Sequence, residues 1–416
     1  MLRPHSSWLT GGIVAVALCW DSVACPQSYE PDRVLVKFDA EATASCRDSS
    51  IMLITGTVMD SVPSIGVYVV QLPDTSVWAS IAVLTNRPCI EYAQPNYTDG
   101  AVLFDAPNDS LFYRQWHLSN TGPPYGGTPG ADIGALAGWA YVHASPDVLV
   151  AIMDTGIDIT RPDLASDIFT NTAELTGTTS EDLDGNGYPH DIHGWDFYNN
   201  DYIAEDVYPH GTAVASLYGA EGNNELVISG VTWSSRILPI KIIHNLGLVP
   251  RATLAKAFAY AVDMGARIIN CSWVTTRDTV LAEAIRHVRD HGALLVGGAG
   301  NDGYDNALYP TQYWPANAAY SDPSLDNVMA VAFTDAVDSV NVSYSCYAPG
   351  SFVRRSNYGA TAVHIAAPGC DICADYPAGP SCGHTGTSLA APVVSGAPPL
   401  LWQQNPPWTY SQIKNS

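Results

Sequence analysis

From residue 148 onward the chain carries short, uninterrupted apolar runs: VLVAIM (148–153), RILPIKII (236–243), RIINCS (267–272), ALLVGGAG (293–300) and NVMAVAF (327–333). Runs of this length without polar alternation suit strands buried on both faces. Between them, TLAKAFAYAVDMGA and TVLAEAIRHVRDHG repeat apolar residues three and four apart, the period of an amphipathic helix. Strands alternating with such helices predict an α/β domain whose largely parallel sheet is covered by helices on both faces. In sheets of this kind functional groups gather at the strand C-terminal ends.

The N-terminal third has a different texture. RVLVKF (33–38) and GVYVVQL (66–72) read as strands of a compact unit of about 70 residues that closes with IEYAQPNY at 90–97. Residues 98–147 are rich in Gly, Pro, Asn and Asp and read as loop and linker. The expected division is a leader at 1–24, a small α+β unit at 25–100, a linker segment at 101–147 and the large domain at 148–416. Near the C-terminus TSLAAPVVSG begins a helix, but Pro398 and Pro399 follow about three turns in, where proline costs about 3 kcal/mol or more. The helix is therefore expected to break there. The chain then stops at SQIKNS as another helix begins, which suggests a shortened domain or a truncated reading frame.

Composition narrows the partners. The 18 basic and 41 acidic residues give a formal net charge of −23, which repels nucleic-acid phosphates and anionic lipid. Arg3 and His5 precede GGIVAVALCW, an apolar stretch too short to span a bilayer, and Ser22-Val23-Ala24 offers a small-x-small cleavage pattern. A secreted protein with no membrane span, cleaved after Ala24, is expected; a lipid anchor on Cys25 is the rival. Eight cysteines then remain, an even number that permits disulfides in an exported chain. Cys370-x-x-Cys373 has no second such pair, so a structural bridge is expected rather than a metal or redox motif, with Cys382 one candidate partner and the pairing left open by the sequence.

Three polar clusters lie at element boundaries. Asp154 ends VLVAIM and is followed by Thr155-Gly156; His210 opens PHGTAVAS; Ser388 opens TSLAAPVVSG. A serine hydroxyl needs an adjacent imidazole to become a nucleophile at neutral pH, and the imidazole needs a carboxylate to fix its tautomer. Taken singly, the aspartate reads as a turn former, the histidine as structural and the serine as a helix cap. Taken together, D-T-G, H-G-T and G-T-S-x-A-x-P in this order resemble the subtilisin-like serine proteases, the subtilases. ARIINCSW, GGAGNDG, NYG and IAAPG extend the resemblance, which covers nearly all of the chain after the leader. The chain departs from the family pattern at Ala213, Ser216 and Val274. An α/β-hydrolase is a poor alternative because Ala390 breaks G-x-S-x-G and the order of the three residues is wrong for that fold.

The resemblance implies Ser388 as nucleophile, His210 as base and then acid, Asp154 as its orienter, and Asn301 as oxyanion donor beside the Ser388 N–H. It implies Ser272, Trp273 and Val274 as the lining of a cleft that pairs with substrate backbone, Val274 narrowing an approach that glycine usually leaves open. The N-terminal unit resembles the pro-region of subtilases, a chaperone and intramolecular inhibitor, with conversion near residues 97–107. Protein or peptide substrates and a monomeric state follow from the same likeness.

Asp182-Leu183-Asp184-Gly185-Asn186-Gly187 places oxygen side chains at alternate positions around a glycine turn, as calcium loops do. His193 stands where an EF-hand needs glutamate, so this is not an EF-hand. It resembles a calcium-binding insertion of some subtilases, with Asp191 or Asp196 completing the shell, although His190 stands at a position often acidic there. A bare Asx-rich turn is the alternative. Gln115 and Asp163 match positions of another family calcium site. Two functional readings follow: a secreted, calcium-stabilised serine endopeptidase, or a non-catalytic subtilase-fold binding or scaffold protein.

Overall fold

The computed structural model describes residues 29–416 apart from 75, 98–105, 123–126, 245, 246, 248 and 341–354. The leader expected at 1–24 and most of the expected conversion segment lie outside the described residues. The chain divides into two compact units, the first ending at Leu103.

In the first unit, β1 (Tyr29–Phe38), α1 (Ala44–Leu53), β2 (Thr57–Val62), β3 (Val67–Gln71), α2 (Val77–Leu84) and β4 (Ile90–Tyr97) follow in order. The strands form a four-stranded antiparallel sheet in the order β2-β3-β1-β4. Val34, Val36 and Phe38 point to one face of β1 and are buried with Val70, Leu72 and Leu84. That is the period of two expected of a sheet with one covered face. A disulfide joins Cys46 on α1 to Cys89 just before β4.

The second unit runs through α3 (Ala135–Trp139), β5 (Val150–Asp154), β6 (Trp195–Asp196), α4 (Gly211–Gly219), β7 (Ile237–Lys241) and α5 (Arg251–Asp263). It continues with β8 (Ile268–Cys271), α6 (Thr279–Asp290), β9 (Leu294–Gly298), α7 (Ala318–Ser321) and β10 (Val328–Thr334). The last elements are β11 (Ile365–Pro368), β12 (Ile372–Tyr376), β13 (Gly379–His384), α8 (Thr387–Gln404) and α9 (Tyr410–Lys414). All five apolar runs are strands of one seven-stranded sheet in the order β11-β10-β9-β8-β5-β7-β6, parallel throughout. The sheet feeds two cores. Ala151, Met153, Ile269 and Leu295 join α5 and α6 on one face. Val150, Ile152, Ile268, Leu294 and Val296 join α4 and α8 on the other. Within the stretch expected to be loop, 98–147, the described residues hold one 3₁₀ turn, Phe112–Arg114, and the short helix α3.

The break expected at Pro398 does not occur. α8 continues through Pro392, Pro398 and Pro399 to Gln404 and is buried along most of its length. Each proline removes a helical N–H and leaves the carbonyl four residues earlier without its usual donor. Hydroxyls from the surrounding elements donate along this helix: Ser272 to the carbonyl of Ser388 at 2.8 Å, Thr232 to Gly396 at 2.8 Å and Ser145 to Pro399 at 3.0 Å. The first of these fills the vacancy that Pro392 creates. Burial of Val393, Val394, Leu400 and Trp402 outweighs the local cost, because helix propensity is a weaker term than tertiary packing.

Gly396 lets α8 lie flat on Val231: a Cβ there would stand 2.4 Å from Val231 Cβ. Gly396→Ala is expected to destabilise the second unit by about 1–3 kcal/mol, the range for overpacking a close-packed core. A drop in Tm of several degrees in thermal unfolding checks this, and an unchanged Tm would show that the contact is not tight.

Candidate active site

Asp154 is the last residue of β5 and is buried. Its Oδ1 accepts the Thr155 N–H at 2.8 Å and lies 2.7 Å from His210 Nδ1. His210 is the residue on which α4 starts. Two glycines let these ends meet. Gly156 has φ +103, and a Cβ there would come within 2.5 Å of the Ala204 and Glu205 carbonyls. A Cβ on Gly211 would sit 2.1 Å from the Gly156 carbonyl oxygen. The D-T-G and H-G-T motifs are therefore two halves of one close backbone approach.

A buried network braces this approach. The Thr155 hydroxyl accepts the Gly211 N–H at 2.8 Å and lies 2.8 Å from both Asp206 Oδ1 and the Tyr208 carbonyl. Asp206 Oδ2 accepts the Thr212 N–H at 2.9 Å and its hydroxyl at 2.6 Å. Burial pushes the Asp206 carboxyl above its ordinary range, and the bonds from Thr212 and Thr155 pull back against that shift. Sequence reading passed over Thr155, Asp206 and Thr212. Both threonines stand inside the quoted motifs, which was the available signal.

Ser388 is the second residue of α8. It lines an open cleft with Tyr208, His210, Tyr376, His384 and Thr385. On its other side it lines a cavity of about 240 Å³ with Ser272, Trp273, Val274, Asn301 and Thr387. Asn301 follows β9, and its side-chain oxygen accepts the Thr387 N–H at 2.8 Å. That bond consumes the carbonyl end of the carboxamide, so the amide end is the one left to face the cavity. Asn357 holds the loop around it, donating to the Ala299 carbonyl and Asn306 and accepting from Asp302 and Tyr304.

The three residues expected to line the cleft do so in different ways. Ser272 is buried and bonds the Ser388 carbonyl, so it steadies the helix that carries Ser388. Trp273 donates its indole N–H to the Met153 carbonyl at 2.8 Å. Val274 is 46% exposed at the rim. β8 ends at Cys271 and the next bridge is at Thr275, so the backbone between them stands outside the sheet ladder. Cys271 is buried beneath the site; burial first, then the charge of Asp154, pushes its thiol up, which keeps it protonated and unreactive.

The hairpin β12–β13 leads directly into α8 and forms one wall of the open cleft. A Cys373–Cys382 disulfide closes it, and Cys370 is disulfide-bonded as well. Arg161 grips the buried Asp375 in the hairpin through two bonds of 2.8 Å.

The acidic loop brings the expected Asp182 and Asp184 together with Glu174. Ligand oxygens of Glu174, Asp182 and Asp184 lie within 4.8 Å of one another. Glu174 precedes the loop by eight positions and no spacing marked it. Its Oε1 accepts the N–H groups of Leu183 and Asp184, and its Oε2 accepts that of His190. Asn186 donates to Asp184 and so stands one hydrogen bond behind the trio; Asp191 takes bonds from Asn186, Asn171 and Tyr260 and reaches Asp184 only through the two asparagines. Asp196, the other residue expected to complete the shell, pairs with Lys241 at 3.0 Å instead. Gln115 and Asp163 meet on one loop: Gln115 exchanges two bonds with the Ser229 backbone, and Asp163 accepts from Asn224, Val227 and Ile228. Together these bonds clasp the 224–229 segment to Gln115 and Asp163.

Arg161→Met is expected to cost about 3–5 kcal/mol, because it leaves the buried Asp375 carboxylate without its counter-charge. Adding Asp375→Leu should restore most of that loss. Thermal unfolding of the single and double variants checks both, and equal Tm values for the two would contradict the assignment.

Residues 145–416 match the profile of the subtilase family, and residues 23–96 match the fervidolysin N-terminal prodomain. The thermophilic serine proteinase of Bacillus sp. (strain AK1) is 29% identical over 382 residues, covering 91% of this chain and 79% of that protein. Thermitase of Thermoactinomyces vulgaris is 30% identical over 256 residues, covering 61% of this chain and 75% of that protein. Among solved structures, a protease from Pseudoalteromonas arctica aligns with a TM-score of 0.55 at 24% identity, over 75% of this chain and 91% of that one. Fervidolysin from Fervidobacterium pennivorans, described as a keratinolytic enzyme related to subtilisin, aligns with a TM-score of 0.52 at 21% identity, over 95% of this chain and 57% of that one. The parallel sheet, the Asp154–His210 pair beside Ser388 and these matches lead to one conclusion: the chain belongs to the subtilase family and is a subtilisin-like serine protease with an N-terminal prodomain.

Proposed function

We propose that this protease is a secreted endopeptidase, made as a self-processing zymogen, that works through Asp154, His210 and Ser388. The observation that carries the reading is the 2.7 Å contact between His210 and the buried Asp154, in an element pair that shares its cleft with Ser388. The Asp154 carboxylate holds a proton on His210 Nδ1, which leaves Nε2 as the base. His210 takes the Ser388 proton as the hydroxyl attacks the scissile carbonyl, and returns it to the leaving amine. The acyl-enzyme is then hydrolysed by water along the reverse path. The Asn301 amide and the Ser388 N–H, at the start of α8, receive the tetrahedral oxyanion. The backbone of Trp273 and Val274 pairs with extended substrate, and Val274 narrows that channel.

Calcium is assigned to Glu174, Asp182 and Asp184. Three carboxylates that enter none of the ion pairs among the described residues offer an all-oxygen set, which suits a hard divalent cation. Bound there, the ion supplies charge neutralisation that ties the segment before the loop to the loop itself. A damaged C-terminal end would favour a non-catalytic scaffold; the continuity of α8 past Pro398 supports the catalytic reading on the point of the helix.

The first test is to express the full chain with calcium and follow its mass over time beside Ser388→Ala. Loss of the N-terminal segment in the parent alone is expected. An intact, soluble parent overturns the proposal. The second test addresses calcium. At a free concentration about a hundred times the Kd, the ion should add roughly 2.7 kcal/mol of stability. Chelation should lower Tm accordingly in Ser388→Ala, and Glu174→Gln should abolish that calcium-dependent difference. A chelator effect of equal size in both proteins would place the ion elsewhere.

A further inference from the structure

On the sheet face opposite α8, three side chains converge that the catalytic machinery does not use. Asp263 is the last residue of α5; His287 and His291 lie on the last turn of α6 and at its end. Ligand atoms of the three lie within 4.8 Å of one another. We propose that Asp263, His287 and His291 bind one divalent transition-metal ion of the zinc class, clamping the C-terminal ends of α5 and α6 together.

The geometry follows from helix periodicity. Residues four apart stand one above the other on a single helix face, and the His287 and His291 ring centroids are 4.1 Å apart. The two helices pack side by side, so the end of α5 delivers its carboxylate to the same spot. His291 is already oriented: its Nδ1 lies 2.8 Å from the His287 carbonyl. A carbonyl oxygen only accepts, so Nδ1 carries the proton and the Nε2 lone pair is left for a metal. Fixing the tautomer through a bond at the other ring nitrogen is how imidazole ligands are usually prepared. Tetrahedral coordination at about 2.1 Å places donor atoms about 3.4 Å apart, a gap that small side-chain rotations close.

Neighbouring charge leaves the set free. Arg286 is directed to Asp322, and Arg289 to Asp290 and the Ser324 carbonyl. Asp263 enters none of the ion pairs among the described residues. Donor chemistry separates this site from the acidic loop. Two imidazoles and one carboxylate suit zinc, copper or nickel, whereas calcium takes oxygen alone.

Position defines the effect. α5 and α6 run back across the sheet, so Asp263 stands just before β8 begins at Ile268, and His291 just before β9 begins at Leu294. The site therefore lies at the strand N-terminal edge, opposite the end that carries Asp154 and Asn301. An ion there stabilises the α5–α6 pair without touching the cleft.

The test uses the full chain carrying Ser388→Ala, in buffer saturated with calcium, titrated with zinc by calorimetry. His287→Gln, His291→Gln and Asp263→Asn are titrated alongside in the same background. One zinc equivalent is expected to weaken by about tenfold or more in each histidine variant. Zinc should raise Tm in the parent and not in the histidine variants, while the metal-free Tm of all four proteins agrees because the substitutions are at the surface. Cobalt should give d–d absorption in the parent that the variants lack. Unchanged zinc affinity and stoichiometry in His287→Gln and His291→Gln would overturn the proposal, as would displacement of the zinc by millimolar calcium.

Discussion

A carboxylate taken out of water must be paired or bonded, and Asp154 does so through Oδ1, which draws the start of α4 onto the end of β5. Gly211 removes the Cβ that would strike the Gly156 carbonyl in this approach, and Gly156 clears the neighbouring Ala204 and Glu205 carbonyls. Thr155 and Asp206 then lock the same junction from behind. The proposed catalytic base is thus held by backbone proximity first and by its carboxylate second. Its orientation comes from the meeting of a strand end and a helix start, braced by Asp206 and Tyr208 of the segment between them.

The nucleophile is held by a related device on the neighbouring helix. α8 is the central element of one core, and its prolines would make it a poor helix in isolation. Buried hydroxyls of Ser272, Thr232 and Ser145 tie carbonyls along it to the surrounding strands and loops, and the Ser272 hydroxyl replaces the donor that Pro392 removes. The Ser272 bond falls on the carbonyl of Ser388 itself. Packing that rescues the helix therefore also fixes the residue proposed to attack substrate, and stability and function share one set of contacts.

Charge is distributed with similar economy. An excess of acid over base leaves few cations to neutralise buried carboxylates. The second unit spends them at defined places: Arg161 on Asp375 beneath the cleft wall, and Lys241 on Asp196 at the sheet edge. Where no cation was provided, as around Glu174, Asp182 and Asp184, backbone N–H groups take the charge and leave room for an ion.

Much of this was written locally and could be read without coordinates. Continuous apolar runs gave away β5, β7, β8, β9 and β10, because a strand buried on both faces has no polar alternative. D-T-G, H-G-T and G-T-S marked Asp154, His210 and Ser388, because each sits where a strand ends or a helix begins, and such turns demand glycine and small residues. Other features depended on neighbours distant in sequence. Local propensity would break α8 at Pro398, whereas burial of the helix in the core carries it through to Gln404. Glu174 joined the acidic loop, and Asp196 left it for Lys241, through folds in a turn-rich segment that has no period to read. Asp263 met two histidines of the next helix because a parallel sheet brings successive helices side by side. Sequence alone determined the elements and the chemistry at their ends, since both rest on residues close together along the chain. Tertiary structure decided which of those ends touch, because that depends on packing between segments tens to hundreds of residues apart.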